Sequence, residues 1–200
     1  MGIVTDVEHI VSSATGTAWY LRRQAPAGAR VYIIGEEGIQ HALLDDGLFT
    51  VDDQQADFVV VAIDRAFTYE KLSTACRLIH NGARFIATNT DTTYPLEIGL
   101  MPGAGSIVAA VQACAGVSPV VIGKPGPILM DMALEQMGAR REQTAVLGDR
   151  LDTDIAGAVA AGMDSIMVLT GISTRADIET APVKPTFVFD DLPALMRAWA

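Results

Sequence analysis

The chain has 200 residues, half of them hydrophobic and 19 % charged, with a formal net charge of −10 at pH 7. That length and apolar content suffice to bury a core without disulfides or a structural metal, and exclude an intrinsically disordered chain. The acidic balance repels phosphate backbones and anionic bilayers, so neither nucleic acid nor a membrane is expected as a partner, and a phosphorylated ligand would need a local positive site.

In chain order, Asp6 and Glu8 stand where a secretory signal would need a basic flank and a long apolar run. Met1-Gly2 resembles the start of a myristoylation signal, but position 6 is Asp rather than Ser or Thr. Strands are predicted at residues 9–12, 31–35, 58–63, 84–88, 119–123, 144–148, 165–170 and 186–189, mostly as continuous apolar runs that suit strands covered on both faces. The purest of these, Phe58 to Ile63, is far too short to span a bilayer.

Between the strands lie helical periods. Over residues 69–81, Tyr69, Leu72, Cys76 and Ile79 share a face and Gly82 stops the helix; over 127–137, Leu129, Met132, Ala133 and Met137 form the stripe before Gly138; residues 154–161 end at Gly162 in the same way. This alternation predicts a parallel α/β sheet with right-handed crossovers. The turn-rich stretches 50–57 and 88–105 read as a hinge between domains and an exposed loop. Cys76 and Cys114 are far apart in apolar, helix-like stretches and read as small core residues in a reducing compartment. A cytoplasmic protein is expected.

Chemistry concentrates in Ala145-Val-Leu-Gly-Asp-Arg-Leu-Asp-Thr-Asp154. An apolar strand ends at Gly148, and Asp149, Asp152 and Asp154 follow. In a parallel sheet, ligands sit beyond the carboxyl ends of strands, so Asp149 is aimed at a site. Magnesium takes hard oxygen ligands and keeps several waters, which one direct carboxylate and one water-mediated carboxylate would satisfy. For Asp152 a helix cap is the better reading. In Val121-Ile-Gly-Lys-Pro125 a second strand end delivers Lys124, whose ammonium could neutralise a phosphate. Gly103-Ala-Gly-Ser-Ile-Val108 fails as a dinucleotide fingerprint, because Val108 takes the place of the last glycine and no strand precedes it; it reads as a tight helix start. His9, His41 and His80 share no ligand spacing.

These motifs resemble the haloacid dehalogenase (HAD) superfamily phosphatases of subfamily IIA, the group of NagD-like, para-nitrophenyl phosphate, phosphoglycolate and pyridoxal phosphate phosphatases. Gly123-Lys-Pro, Gly148-Asp-Arg-Leu-Asp-Thr-Asp-Ile155 and Leu169-Thr-Gly-Ile-Ser173 look like the later core motifs. Phe67-Thr-Tyr-Glu-Lys-Leu72, Phe85-Ile-Ala-Thr-Asn-Thr-Asp91 and Pro102-Gly-Ala-Gly105 look like the large α/β cap, and Ser12-Ser-Ala14 and Val31-Tyr-Ile-Ile-Gly-Glu-Glu-Gly38 also fit. The resemblance implies an α/β, Rossmann-like HAD core with an inserted C2-type cap, with core residues at 1–49 and 119–200 and the cap at 50–118. It implies Mg2+ as cofactor, with Asp149 as a metal ligand and Asp154 in support, and Lys124 holding the phosphoryl group. Asn89, Asp91 and Tyr94 would bind substrate from the cap, and the substrate would be a small phosphorylated metabolite. Caps of this size often mediate dimers in relatives, which leaves a homodimer open.

One departure carries weight. The family's first strand ends in Asp-x-Asp-Gly, whose first aspartate becomes the aspartyl-phosphate, and a second strand carries a phosphate-binding Thr/Ser. The only Asp-x-Asp in these 200 residues is Asp152-Thr-Asp154, followed by Ile155. The sequence therefore predicts a phosphomonoester hydrolase whose nucleophile strand lies outside these residues, with the 200 residues alone inactive. The alternative is a non-catalytic remnant that binds a phosphorylated ligand or a partner chain.

Overall fold

A computed structural model describes residues 5–26 and 28–199; the Met1-Gly2 pair lies outside them. The chain forms two compact units, residues 12–123 and residues 1–11 with 124–200.

The first unit opens with α1 (Ser13–Gln24), started by a capping box in which the Ser12 hydroxyl accepts from the Thr15 N–H and the Thr15 side chain reaches back to the Ser12 N–H. There follow β1 (Ala29–Ile34), α2 (Glu37–Leu44), β2 (Phe49–Val51), β3 (Phe58–Val61), α3 (Tyr69–His80) and β4 (Arg84–Ala87). A hairpin of β5 (Thr93–Leu96) and β6 (Gly99–Pro102), then α4 (Ala104–Ala115) and β7 (Val120–Val121), complete it. The five-stranded sheet is parallel and ordered β2-β1-β3-β4-β7, with Val31 opposite Phe58, Val59 opposite Phe85 and Ile86 opposite Val120. All four residues of β3 are buried, as a central strand covered by helices requires. Its core joins Val59, Val61, Phe85 and Ala87 to Ala75, Leu78 and Ile79 of α3 and Val108, Val111 and Ala115 of α4.

The second unit begins with a 3-10 turn (Val7–His9) and resumes with α5 (Ile128–Met137) and β8 (Ala145–Gly148). A wide π-turn (Leu151–Ile155) leads into α6 (Ala156–Ala160), and β9 (Asp164–Val168), α7 (Arg175–Thr180), β10 (Phe187–Phe189) and α8 (Leu192–Trp199) follow. Its parallel sheet runs β10-β9-β8, so β8 is an edge strand among the described residues. Leu151, Ile155 and Met167 form a small core with Leu169 and Ile178 packed on it. No helix among the described residues is long and apolar enough to cross a membrane.

Several expectations change. Residues 12–49 do not join the core sheet with 119–200: β1 is hydrogen-bonded between β2 and β3, which draws the whole segment into the first unit. Likewise β7 pairs with β4, so the short strand before Lys124 belongs to the five-stranded sheet of the first unit and Lys124 opens the other unit. Residues 9–12 are not a strand, because Ser12 spends its hydroxyl on capping α1. The 88–105 stretch contains the β5–β6 hairpin rather than loop alone. Cys114 is exposed, not in the core.

Candidate active site

The site-bearing turn is built on two glycines. At Gly148 the end of β8 lies so close to Asp154 that an added Cβ would overlap that side chain, and a Cβ at Gly171 would land inside the carboxylate of Asp149. Glycine at 148 lets the turn fold back on the strand, and glycine at 171 lets the chain after β9 close over Asp149. Ile172 N–H donates to Asp149 Oδ2 at 2.9 Å, and Ser173 N–H donates to the Asp149 carbonyl at 3.1 Å. The Ser173 hydroxyl accepts from Leu151 N–H at 3.1 Å, tying the 171–173 segment to the π-turn.

Asp154 is the anchor of this arrangement, its side chain only 10 % exposed. Its Oδ2 accepts from the N–H groups of Asp149 and Arg150, both at 3.2 Å, and its Oδ1 accepts from Lys124 Nζ at 2.6 Å. A carboxylate accepting two backbone N–H bonds and an ammonium is held in one orientation. The Lys124 side chain is 45 % exposed, so the lysine is held by Asp154 without being buried. Asp154 therefore holds both Lys124, through its ammonium, and Asp149, through its backbone N–H. Asp152 does not cap a helix: it pairs with the Arg150 guanidinium at 2.8 and 3.1 Å, which lowers its carboxyl pKa.

The donor set suits a hydrated hard cation. Among the described residues no group of three or more His, Cys, Asp or Glu side chains could hold a metal, but Oδ1 of Asp149 accepts no hydrogen bond there. A carboxylate with one oxygen fixed by a backbone N–H and the other free is what a magnesium ion that retains most of its waters asks of a protein. Both oxygens of Asp154 are already occupied, which fits an orienting group better than a direct ligand.

In the first unit, Asn89 Oδ1 accepts from Asp91 N–H at 3.1 Å, an Asx turn that shapes the segment after β4. That segment hangs on the start of α4: Gly105 N–H donates to the Asp91 carbonyl, and Gly103 N–H and the Ser106 hydroxyl donate to that of Thr92. Added Cβ atoms at Gly103 and Gly105 would overlap the backbone of residues 90–92, so the Gly-Ala-Gly pattern serves close packing. Tyr94 lines a cavity of about 390 Å3 with Asp64, Arg65, Phe67 and Ser106 among its walls. Asn89 and Asp91 are not among them.

Asp64 and Arg65 escaped the sequence reading. Arg65 grips Glu36 with Nε–Oε1 at 2.7 Å and Nη2–Oε2 at 2.5 Å, which lowers the Glu36 carboxyl to about 2. Buried Asp64 pairs with Lys71 Nζ at 2.6 Å. A signal was present: Val60-Val-Ala-Ile-Asp-Arg65 repeats the strand-then-Asp-Arg pattern of Val146-Leu-Gly-Asp-Arg150.

The HAD-hydrolase-like family model matches residues 121–195, the span that holds Lys124, Asp149 and Asp154. The chain is 44 % identical over 197 residues to an acid sugar phosphatase of Staphylococcus saprophyticus, covering 98 % of this chain and 76 % of that protein. Among solved structures, a p-nitrophenyl phosphatase from Archaeoglobus fulgidus aligns with a TM-score of 0.89 at 34 % identity, over 98 % of this chain and 77 % of that one. A glycerol phosphate phosphatase from Mycobacterium tuberculosis, in complex with calcium, aligns with a TM-score of 0.89 at 38 % identity, over 97 % of this chain and 58 % of that one. With an α/β fold built on parallel sheets and this likeness along nearly its whole length, the chain belongs to the HAD-superfamily phosphatases of subfamily IIA.

Proposed function

We propose that this chain carries the metal-holding and phosphate-holding part of a magnesium-dependent hydrolase of small phosphomonoesters that works through an aspartyl-phosphate. The observation that supports this most is the Lys124–Asp154–Asp149 arrangement at the end of β8, in which one ammonium and one free carboxylate oxygen are held by a fully bonded third group.

Lys124 presents a fixed positive charge to the phosphoryl oxygens, the local cation that a chain of net charge −10 needs in order to hold a dianion. Asp154 keeps that ammonium in place and, through the Asp149 and Arg150 N–H groups, fixes the turn that carries Asp149. Asp149 offers Oδ1 to the cation. Magnesium, when bound, supplies charge neutralisation and orientation for the transferring group. Tyr94, Asn89 and Asp91 are assigned to the leaving group, with Tyr94 and its cavity the principal determinant of which ester is preferred.

The covalent step needs a carboxylate in line with phosphorus. Asp152 does not supply it, because it lies inside the π-turn and is paired with Arg150. The 200 residues alone should therefore show no magnesium-dependent turnover of para-nitrophenyl phosphate, and supplying an Asp-x-Asp-Gly strand should restore it. Turnover by the 200 residues that Asp149→Asn removes would mean the nucleophile is misassigned; no turnover even with the added strand would favour the non-catalytic reading.

A further inference from the structure

Glu36 follows β1 and Arg65 follows β3, neighbouring strands whose connections lead to opposite sides of the five-stranded sheet. At such a reversal, the crevice beyond the carboxyl ends of the strands is where α/β sheets bind ligands. The Glu36–Arg65 pair bridges that reversal. Glu36 Oε1 accepts from both the Arg65 N–H and Nε, and its Oε2 accepts from Nη2, so the plane of the guanidinium is fixed. The remaining nitrogen, Nη1, donates to nothing among the described residues, and the arginine side chain is 75 % exposed.

Arg65 and Tyr94 line the same cavity, whose other walls include the apolar Ile63, Phe67, Met101 and Ile107. Two further polar walls are already engaged. Asp64 accepts from Lys71 Nζ and from Ala66 N–H, and the Ser106 hydroxyl donates to the Thr92 carbonyl. The Tyr94 hydroxyl, like Arg65 Nη1, has no hydrogen-bond partner among the described residues. Charge is balanced at this edge, because Glu36 is matched to Arg65 and Asp64 to Lys71.

We propose that Arg65 is a specificity-determining residue, and that it selects phosphomonoesters whose leaving group carries an uncharged hydroxyl. The inference rests on the reading that the Tyr94 cavity receives the leaving group. A guanidinium only donates, whereas a phenol also accepts. One hydroxyl therefore satisfies both free groups, accepting from Arg65 Nη1 and donating to the Tyr94 oxygen. A carboxylate would bring an extra negative charge to an edge whose cations are already paired, in a chain of net charge −10, and it has no proton to give Tyr94. Glu36 acts as a positioning residue, since it fixes the guanidinium and cancels its charge.

The test uses the 200-residue chain with magnesium, which is expected to bind esters without consuming them. Propyl to hexyl phosphates, their ω-hydroxy counterparts and their ω-carboxy counterparts are titrated by calorimetry. At the chain length that reaches Arg65, the hydroxy ester should bind about fivefold tighter than its alkyl parent, the worth of one net hydrogen bond, and the carboxy ester should gain nothing. Arg65→Lys, which keeps the charge but loses the planar fork, should abolish the gain. Glu36→Gln leaves the guanidinium charge unmatched and should shift the preference toward the carboxy ester. Equal binding of hydroxy and alkyl esters at every length, a gain that survives Arg65→Lys, or a carboxy ester that binds best to the wild-type chain would each overturn the inference. Lys124→Ala should weaken all three series alike. If no ester binds, or Lys124→Ala changes nothing, the phosphate-holding reading falls and this inference with it.

Discussion

Replacing Gly171 by Ala tests the site without touching a charged residue. Gly171 has no left-handed backbone, so alanine adds no conformational penalty there; its whole effect comes from a methyl group placed inside the Asp149 carboxylate. To relieve the overlap, the carboxylate must move on the order of 1 Å, and a displacement of that size at a working group costs about 100-fold in rate. The move also breaks the 2.9 Å bond from Ile172 N–H to Asp149 Oδ2, and a hydrogen bond to a charged group contributes about 1.5–3 kcal/mol. Magnesium affinity of the variant, measured by calorimetry on the chain itself, should fall, and kcat should drop about 100-fold when the Asp-x-Asp-Gly strand is supplied. Gly138→Ala is the control, because its φ of 58° lies in the left-handed region and a new Cβ meets open space. It should cost about 1–2 kcal/mol of stability and leave metal binding unchanged. If Gly171→Ala binds magnesium and turns over like the parent, Asp149 is not positioned by the 171–173 segment and the site assignment falls.

Asp149→Asn should abolish magnesium-dependent turnover while leaving the circular dichroism spectrum and the melting temperature close to those of the parent; near-normal activity would remove Asp149 from the metal site. Tyr94→Ala should reorder the preference among natural phosphomonoesters more than it slows hydrolysis of para-nitrophenyl phosphate, and an equal loss on every substrate would instead assign the ring to packing in its cavity. The Glu36 carboxyl is lowered from 4.5 to about 2, chiefly by its hydrogen bond to Arg65, so its stabilising contribution is fully present above about 4.5 and is lost as pH falls toward 2. Glu36→Gln should flatten that acid limb of the stability curve, and salt should shrink the difference because the pair is exposed; an unchanged acid limb would show the pair contributes nothing.

The site was more legible than the domain boundary. Strands buried on both faces announce themselves as unbroken apolar runs, and Phe58 to Ile63 is read as a strand for that reason; residues 144–148 show the same apolar run although β8 is only partly buried. The acid at the end of residues 145–148 follows directly, because a parallel strand aims its carboxyl-terminal residue at the edge of the sheet; Lys124 follows a strand of the other sheet and is held instead by its bond to Asp154. What the pattern does not carry is which sheet a strand joins. Residues 29–34 look the same whether they pair with residues 58–61 or with residues 145–148, and only the register Val31↔Phe58 decides. Short or exposed elements leave still less trace: Phe49–Val51 buries one residue in three, and the hairpin strands are almost wholly exposed, so neither produces a period. Cys76 is a core residue as its apolar helix suggests, whereas Cys114 sits in an equally apolar helix yet on its outer side, which composition alone does not reveal.

Strand β8, which delivers Asp149, has one side of its hydrogen-bonding ladder unpaired among the described residues, and Leu147 is 47 % exposed. Neighbouring strands in a sheet stand about 4.8 Å apart. A strand docking in parallel along that open side would bring its own terminal side chain to about one strand spacing from Asp149, close enough for two carboxylates to share a single divalent ion. The open ladder thus acts as a ruler: it fixes both the direction and the distance at which a second acidic group can meet the first, before any side chain of that strand is specified.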